Sequence, residues 1–244
     1  MIDSDLSRPT RSVSALFENV VLKPFGVLGT QLTLAHGVVQ QAPPPMSSEA
    51  FIDPAGLHYI QAHGPAGAGG ASGAIYSHIG ISGDASFPQL VRDGVQAAGD
   101  ACLHAYSVGG VEHYVIHTVG PDLRVGDPTW KQAVRVLSRA YYNVLSEFHR
   151  ERAKRDASAP QLTTLRLLPI SGGIFAGAYQ DQIAPLTMAA LANGYRMLGA
   201  AEQKLLLGEA IQLHLCIFLE KEMSAFEAAL ANMCGVLLHG KRGA

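Results

Sequence analysis

The chain has few of the features that mark a disulfide-linked, metal-binding or membrane-spanning protein. Its 244 residues include only three cysteines (Cys102, Cys216 and Cys234) and no CxxC spacing, which argues against a disulfide framework or a zinc site. No segment has the roughly 20 consecutive apolar residues that a membrane-spanning helix needs. The ten histidines lack the spacing of a metal-ligand cluster. We therefore expect reduced thiols, no metal, no cofactor and no membrane partner.

Charge of either sign is also scarce. Only 16% of the residues are charged, and 18 basic against 20 acidic residues give a formal net charge of −2. This balance argues against a dominant electrostatic hold on nucleic acid. Residues 1–14 are polar and lack the apolar core of a signal peptide. We expect them to form a flexible tail on a cytoplasmic or nuclear protein, whose oligomeric state the sequence leaves open.

Predicted helices and strands alternate along the rest of the chain. The clearest helix covers 128–153, where apolar residues recur every three or four positions and Asp127 is suited to cap the first turn. Strands are predicted at 57–61, 114–119, 163–168 and 211–219. The alternation predicts an α/β class, with one domain over 15–240 in three α/β/α layers around a mixed, mostly parallel sheet. The run Pro43-Pro44-Pro45 excludes helix and predicts a surface excursion at about 38–54.

Two glycine-rich turns are the segments most informative about function. They cover 67–75 and 168–177, and each follows a predicted strand. Backbone N–H groups that such turns expose bind phosphate without any charged side chain. In a parallel sheet both turns lie at the carboxyl edge of the strands, where ligands bind. Neither turn has a GxGxxG pattern or the lysine of a P-loop, which argues against a nucleoside triphosphatase.

Taken with the run YVIHTVGP at 114–121, these turns resemble the macrodomain family, whose members bind ADP-ribose. Gly69–Ile75 resembles the first phosphate loop of that family, and Pro169–Phe175 resembles the second. The middle block of the family is matched by Gly99-Asp100-Ala101, Tyr106 and Val115–Pro121. The resemblance extends over most of the chain, roughly from Leu57 to Leu237, and implies a macrodomain-like fold.

The resemblance also implies where a ligand is bound. The first loop is expected to hold the proximal side of a diphosphate, and the second loop to hold the other side and close over the distal ribose. A neutral Gln31 is expected to replace the acidic residue that reads the adenine amino group, and Phe218 or Leu219 is expected to pack near adenine. The implied ligand-binding residues are Gly69, Gly70, Ala71, Ser72, Gly73, Ala74, Ile75, Ser171, Gly172, Gly173, Ile174, Phe175, Gln31, Gly64 and Phe218.

The chain departs from the family at the side chains that the family's hydrolases use. Their Asn-Ala-Ala-Asn pattern before the first loop aligns with Gln61-Ala62-His63-Gly64, and their loop aspartate falls at Ser72. A phosphate site formed by backbone N–H groups is unaffected by these substitutions. The loss of a general base, in contrast, lowers the catalytic rate by a factor of roughly 10²–10⁴. His63 is the candidate for a replacement base, because imidazole accepts protons near neutral pH. The alternative for His63 is a structural, hydrogen-bonding histidine.

Three functions are compatible with this pattern. The retained loops imply binding of ADP-ribose, or of a related ADP-ribosyl or nucleotide diphosphate ligand, free or attached to protein. The first alternative is an ADP-ribosyl hydrolase with altered catalytic groups, acting on a modified protein or a related ester. The second alternative is a degenerate macrodomain that serves as a protein or RNA interaction module.

Overall fold

Helices alternate with strands in the computed structural model, which describes residues 11–29, 32–34, 37–38, 42–155, 160–208 and 210–235. The helices are α1 (Arg11–Glu18), α2 (Gly70–His78), α3 (Gln89–Gly94), α4 (Trp130–Lys154), α5 (Ile183–Met197), α6 (Ala200–Leu206) and α7 (Met223–Met233). The strands are β1 (Val20–Lys23), β2 (Thr33–Leu34), β3 (Gly37–Val38), β4 (Glu49–Asp53), β5 (Ala101–Val108), β6 (Val111–Thr118), β7 (Thr164–Leu167) and β8 (Gln212–Cys216). A π-helical turn covers Tyr59–His63, and 3-10 turns cover Gly177–Gln182 and Glu220–Glu222.

Six of the strands form one mixed sheet in the order β1-β8-β7-β4-β6-β5. Five of them run parallel, and β5, at one edge, pairs antiparallel with β6. All five residues of the central strand β4 are buried, as expected for a strand that is covered on both faces. The sheet confirms the predicted α/β class and the predicted mixed, mostly parallel strand arrangement.

The side chains of β4 alternate between two apolar cores, one on each face of the sheet. Ala50 and Ile52 belong to the core that is formed with helices α1, α4, α5 and α7. Phe51 belongs to the core that is formed with α2 and α3. Because helices cover both faces, the sheet is the middle of three layers, which is consistent with the α/β/α arrangement that the sequence predicts.

The longest helix lies where its apolar period predicts it, but its cap differs from the prediction. The Thr129 side chain accepts a hydrogen bond from the Gln132 amide at 3.4 Å, and the Thr129 amide donates to the Gln132 side chain at 2.8 Å. This reciprocal pair is a capping box. Asp127, the predicted cap, lies outside the helix with a φ of 44°. The choice of Asp127 was therefore wrong by two positions.

The predicted tail extends four residues too far. Helix α1 begins at Arg11, so residues 11–14 are helical, while residues 1–10 lie outside the described part of the chain. Val13, Leu16 and Phe17 recur at helical spacing and are fully or almost fully buried against the first core. Polar composition alone hid this short amphipathic helix.

The predicted excursion at 38–54 is wrong in its second part, because that part contains the central strand β4. The proline run is a loop, and the Pro43 carbonyl accepts a hydrogen bond from Arg166 at 3.3 Å. The same guanidinium pairs with the buried Glu49 carboxylate at 2.8 Å, which ties this loop to β4 and β7. The strand predicted at 57–61 is also wrong, since these residues run into the π-helical turn.

Candidate functional site

Both glycine-rich segments lie beyond the carboxyl ends of neighbouring parallel strands. β4 pairs with β7, and the second segment follows β7 directly. The first segment leads into α2, where the Ser72 hydroxyl donates to the carboxylate of Asp53, the last residue of β4, at 2.7 Å. This bond holds the first turn of α2 at the end of β4. The two segments are therefore at the same edge of the sheet.

The second loop is built around a strained serine. The Gly172 amide donates to the Pro169 carbonyl at 2.9 Å, which closes a turn with Ser171 at its third position. Ser171 has a φ of 62°, where glycine is the usual residue and other residues cost about 1–2 kcal/mol. Its buried hydroxyl donates to the Pro121 carbonyl at 2.7 Å, and this bond holds the turn in place. Strain of this kind clusters at functional sites.

The residues that follow β6 contact the second loop and support it. The Leu123 amide donates to the Phe175 carbonyl at 2.9 Å. A Cβ atom on Gly120 would lie 2.7 Å from the Ser171 hydroxyl oxygen, so the close approach of the two segments requires glycine there. Arg124 lies 5.2 Å from the centre of the Phe175 ring and donates two hydrogen bonds to Asp122, which lower the pKa of that carboxyl. The run at 114–121 and the second glycine-rich loop therefore form one structural unit.

Backbone donors are available in both loops. Gly69 precedes the first residue of α2 and has no side chain to cap the helix. Within the described ranges, the amides of Gly70, Ala71 and Ser72 have no acceptor, as first-turn amides of a helix generally do not. The Gly173 amide of the other loop likewise has none among described residues. Such N–H groups, with the positive end of the α2 dipole, suit an anion.

The remaining residues of the first predicted loop are packed against other parts of the protein. Gly73 is close-packed, since a Cβ atom there would lie 2.3 Å from the Ala68 carbonyl oxygen. Ala74 is half-buried, and Ile75 is fully buried in the second core. Only the start of the first segment therefore opens onto the carboxyl edge, and the contacts of Ala74 and Ile75 with a ligand stay a prediction.

Two large apolar side chains that follow β7 and β8 are exposed. Phe218 follows β8 with 49% of its surface accessible, and Ile174 at the tip of the second loop is 81% accessible. Next to Phe218 is a groove of about 330 Å³, lined by Thr33, Leu34, Leu219, Glu220 and Lys221. Gln31, the predicted reader of adenine, lies outside the described residues.

The predicted catalytic segment lies on the π-helical turn and the glycine that follows it, and not at the end of a strand. His63 is exposed at the end of the π-helical turn, with its ring centre 3.9 Å from that of His58. Gln61 donates to the Val95 carbonyl at 2.5 Å, which ties this turn to α3. Gly64 is buried, and a Cβ atom there would lie 2.4 Å from the Ala85 backbone, which accounts for a glycine. Ligand contact by Gly64 and base catalysis by His63 stay predictions.

The sequence patterns did not predict the buried polar network that is centred on Asp53. This carboxylate is inaccessible to solvent and accepts hydrogen bonds from Ser72 at 2.7 Å, Tyr76 at 2.8 Å and His117 Nδ1 at 2.8 Å. The other ring nitrogen of His117 bonds to the Tyr106 hydroxyl at 2.8 Å. Burial, followed by the charge of Asp53, raises the pKa of both Tyr76 and Tyr106, so both phenols remain protonated donors.

Three further findings bear on function. The chain matches no protein-family model and no curated protein. No helix in the described ranges is both long and apolar enough to cross a membrane. In the same ranges, no three side chains among histidine, cysteine, aspartate and glutamate converge as potential metal ligands.

Proposed function

We propose that the protein binds ADP-ribose, or a related nucleotide diphosphate ligand, at the carboxyl edge of the sheet. The observation that carries this proposal is the position of the two glycine-rich loops beyond β4 and β7, which are parallel neighbours. Unpaired amides at Gly70, Ala71 and Gly173 provide donors for a diphosphate. The resemblance to macrodomains identifies ADP-ribose as the first ligand to test.

The groove beside Phe218 supports the nucleotide part of the proposal. It lies beyond β8, two strands away from β4 in the sheet, and Leu219 and Leu34 form its apolar walls. In the proposed binding mode, the nucleoside extends along the edge from the diphosphate toward this groove.

Binding is expected to raise the melting temperature of the protein. At a ligand concentration of 100 times Kd, mass action adds about 2.7 kcal/mol of stability, or roughly 5–10 °C for a chain of this length. The measurement is isothermal titration calorimetry with ADP-ribose, accompanied by thermal melting, with ribose 5-phosphate as the control that lacks a diphosphate. Absence of both heat and a melting shift at millimolar ADP-ribose would contradict the proposal and favour the interaction-module alternative.

Hydrolysis is the second function to test at this edge. The resemblance to macrodomains motivates this test, because that family includes ADP-ribosyl hydrolases. Incubation with a mono-ADP-ribosylated protein, followed by detection of released ADP-ribose, separates turnover from binding alone. A His63→Ala variant with unchanged turnover would exclude the exposed histidine as the base.

A further inference from the structure

Two histidine side chains meet at the C-terminal end of α2, on the face of the sheet that α2 covers. His78 is the last residue of α2, and its ring centre lies 4.9 Å from that of His113 on β6. The two rings are steeply inclined, with 76° between their planes. The His78 ring also lies 6.2 Å from the ring of Phe51 on β4. The histidine pair therefore joins α2 to two neighbouring strands.

Each ring of this pair has a buried nitrogen without a hydrogen-bond partner. The two atoms are His78 Nε2 and His113 Nδ1, and no group among the described residues bonds to either. His113 as a whole is 9% accessible. A neutral imidazole has one N–H group and one bare nitrogen, whereas an imidazolium has an N–H group on both. Protonation of either ring would therefore leave a buried donor without an acceptor, which costs free energy.

The charged and titratable groups around the pair disfavour a positive charge on it. Glu49 of β4 lies on the same side of the sheet, but its carboxylate is paired with Arg166 of β7 at 2.8 Å. Tyr106 of β5 is opposite His113 in the ladder and remains an uncharged phenol. Burial lowers the pKa of both histidines, and the nearby His113 and Arg166 lower the pKa of His78 further.

We propose that the His78–His113 pair is an acid-sensitive contact between α2 and the sheet, which is closed while both rings are neutral and opens when either ring takes up a proton from solvent. The first half of α2 has separate anchors, because Ser72 and Tyr76 both donate to Asp53. Opening therefore begins at the C-terminal end of the helix. Because α2 starts at the first glycine-rich loop, the contact makes the position of that loop depend on pH.

The direction of the pH effect follows from proton linkage. In the open form each histidine regains an ordinary pKa of about 6.5, whereas in the closed form its pKa is lower. The open form consequently binds more protons, and it gains population as the pH falls below about 6.5. Above that pH the contact contributes its full stability. This inference concerns the stability of α2 and does not depend on the proposed ligand.

The test is hydrogen–deuterium exchange of the α2 amides at about pH 7 and at about pH 5.5, expressed as protection factors so that the intrinsic pH dependence of exchange cancels. One proton taken up on opening lowers α2 protection roughly tenfold over this interval. The double variant His78→Phe, His113→Phe keeps two flat rings that cannot be protonated, and we expect its α2 protection to be equal at both pH values. The double glutamine variant repeats the test if the larger rings do not pack.

His214→Gln is the matched control. Burial, followed by the charge of Lys23, lowers the pKa of His214 to about 4, but this histidine lies on β8, two strands away from β4. The variant should retain the wild-type loss of protection in α2. Titration of the histidine ring signals by NMR needs no variant, and we expect the midpoints of His78 and His113 to lie below 6.5.

Several results would overturn the inference. Constant α2 protection in the wild type would show that the contact does not respond to acid. A loss that is equally large in α4 would be global unfolding, and a loss that persists in a folded double variant would not involve the histidines. Ring midpoints at or above 6.5 for both histidines would contradict the closed, neutral pair. A loss that is confined to α2 and absent from the double variant supports the inference.

Discussion

Replacement of Asp53 by alanine is expected to lower the free energy of unfolding by about 3–5 kcal/mol. The substitution removes the shared acceptor of Tyr76 and His117, both of which are inaccessible to solvent. Each donor left unpaired in the interior costs about 1–3 kcal/mol. The lost Ser72 bond adds less, because that side chain is only half-buried and can turn to water.

Urea unfolding of the wild type and the variant, with the slope of each transition compared, measures this loss. Asp181→Ala is the matched control, because Asp181 is exposed and surface substitutions usually stay within about 0.5 kcal/mol. An Asp53→Ala variant as stable as the control would show that the network contributes nothing to the fold.

The sequence predicted the parts of the fold whose signal is a long periodic pattern or a short contiguous run of residues. Helix α4 repeats its apolar period over 25 residues, and leucine alternates with polar residues in β7 and β8. Strand β4 was not predicted, because its five residues follow closely after three prolines and have an acidic residue at each end. Burial of Glu49 and Asp53 depends on partners from other strands and helices, which no local window contains.

The same distinction between local and long-range signals applies to the candidate site. Its two loops are contiguous in sequence, so their glycines are visible without coordinates, and the parallel sheet brings them to one edge. The Asp53 network joins β4, α2, β5 and β6, and its members are separated by up to 64 residues. Order along the chain gives no indication that they meet. The available signal was an aspartate directly after the apolar run Ala50-Phe51-Ile52, where a buried strand would end.

The proposed binding of a doubly charged diphosphate does not require a strongly basic chain. Backbone amides at helix α2 and at the second loop provide partial positive charge, and they do not add to the net charge of the protein. The guanidinium of Arg124, which lies over the Phe175 ring of the second loop, is already paired with Asp122 at 2.7 Å. If the proposed diphosphate is held by backbone amides, its affinity depends on the open space above the glycines of the two loops.

Gly173→Ala and Gly69→Ala are expected to weaken ADP-ribose binding by roughly ten- to a hundredfold without changing the fold. At both positions no described atom lies within 4 Å of the place that a Cβ atom would take, and neither φ angle is in the left-handed region. The free protein therefore accommodates the methyl group. A bound diphosphate does not, because the methyl group separates it from nearby amides whose charge-assisted bonds are worth about 1.5–3 kcal/mol each.

Gly83→Ala is the matched control for both variants. Gly83 is also exposed, with open space around its Cα atom, but it lies in the 81–86 connection after α2 rather than in either loop. Calorimetry should show wild-type affinity for Gly83→Ala, and melting curves should coincide for all three variants. If all three bind ADP-ribose as the wild type does, the ligand does not approach the glycine backbone, and the cradle formed by the two loops is not the binding site.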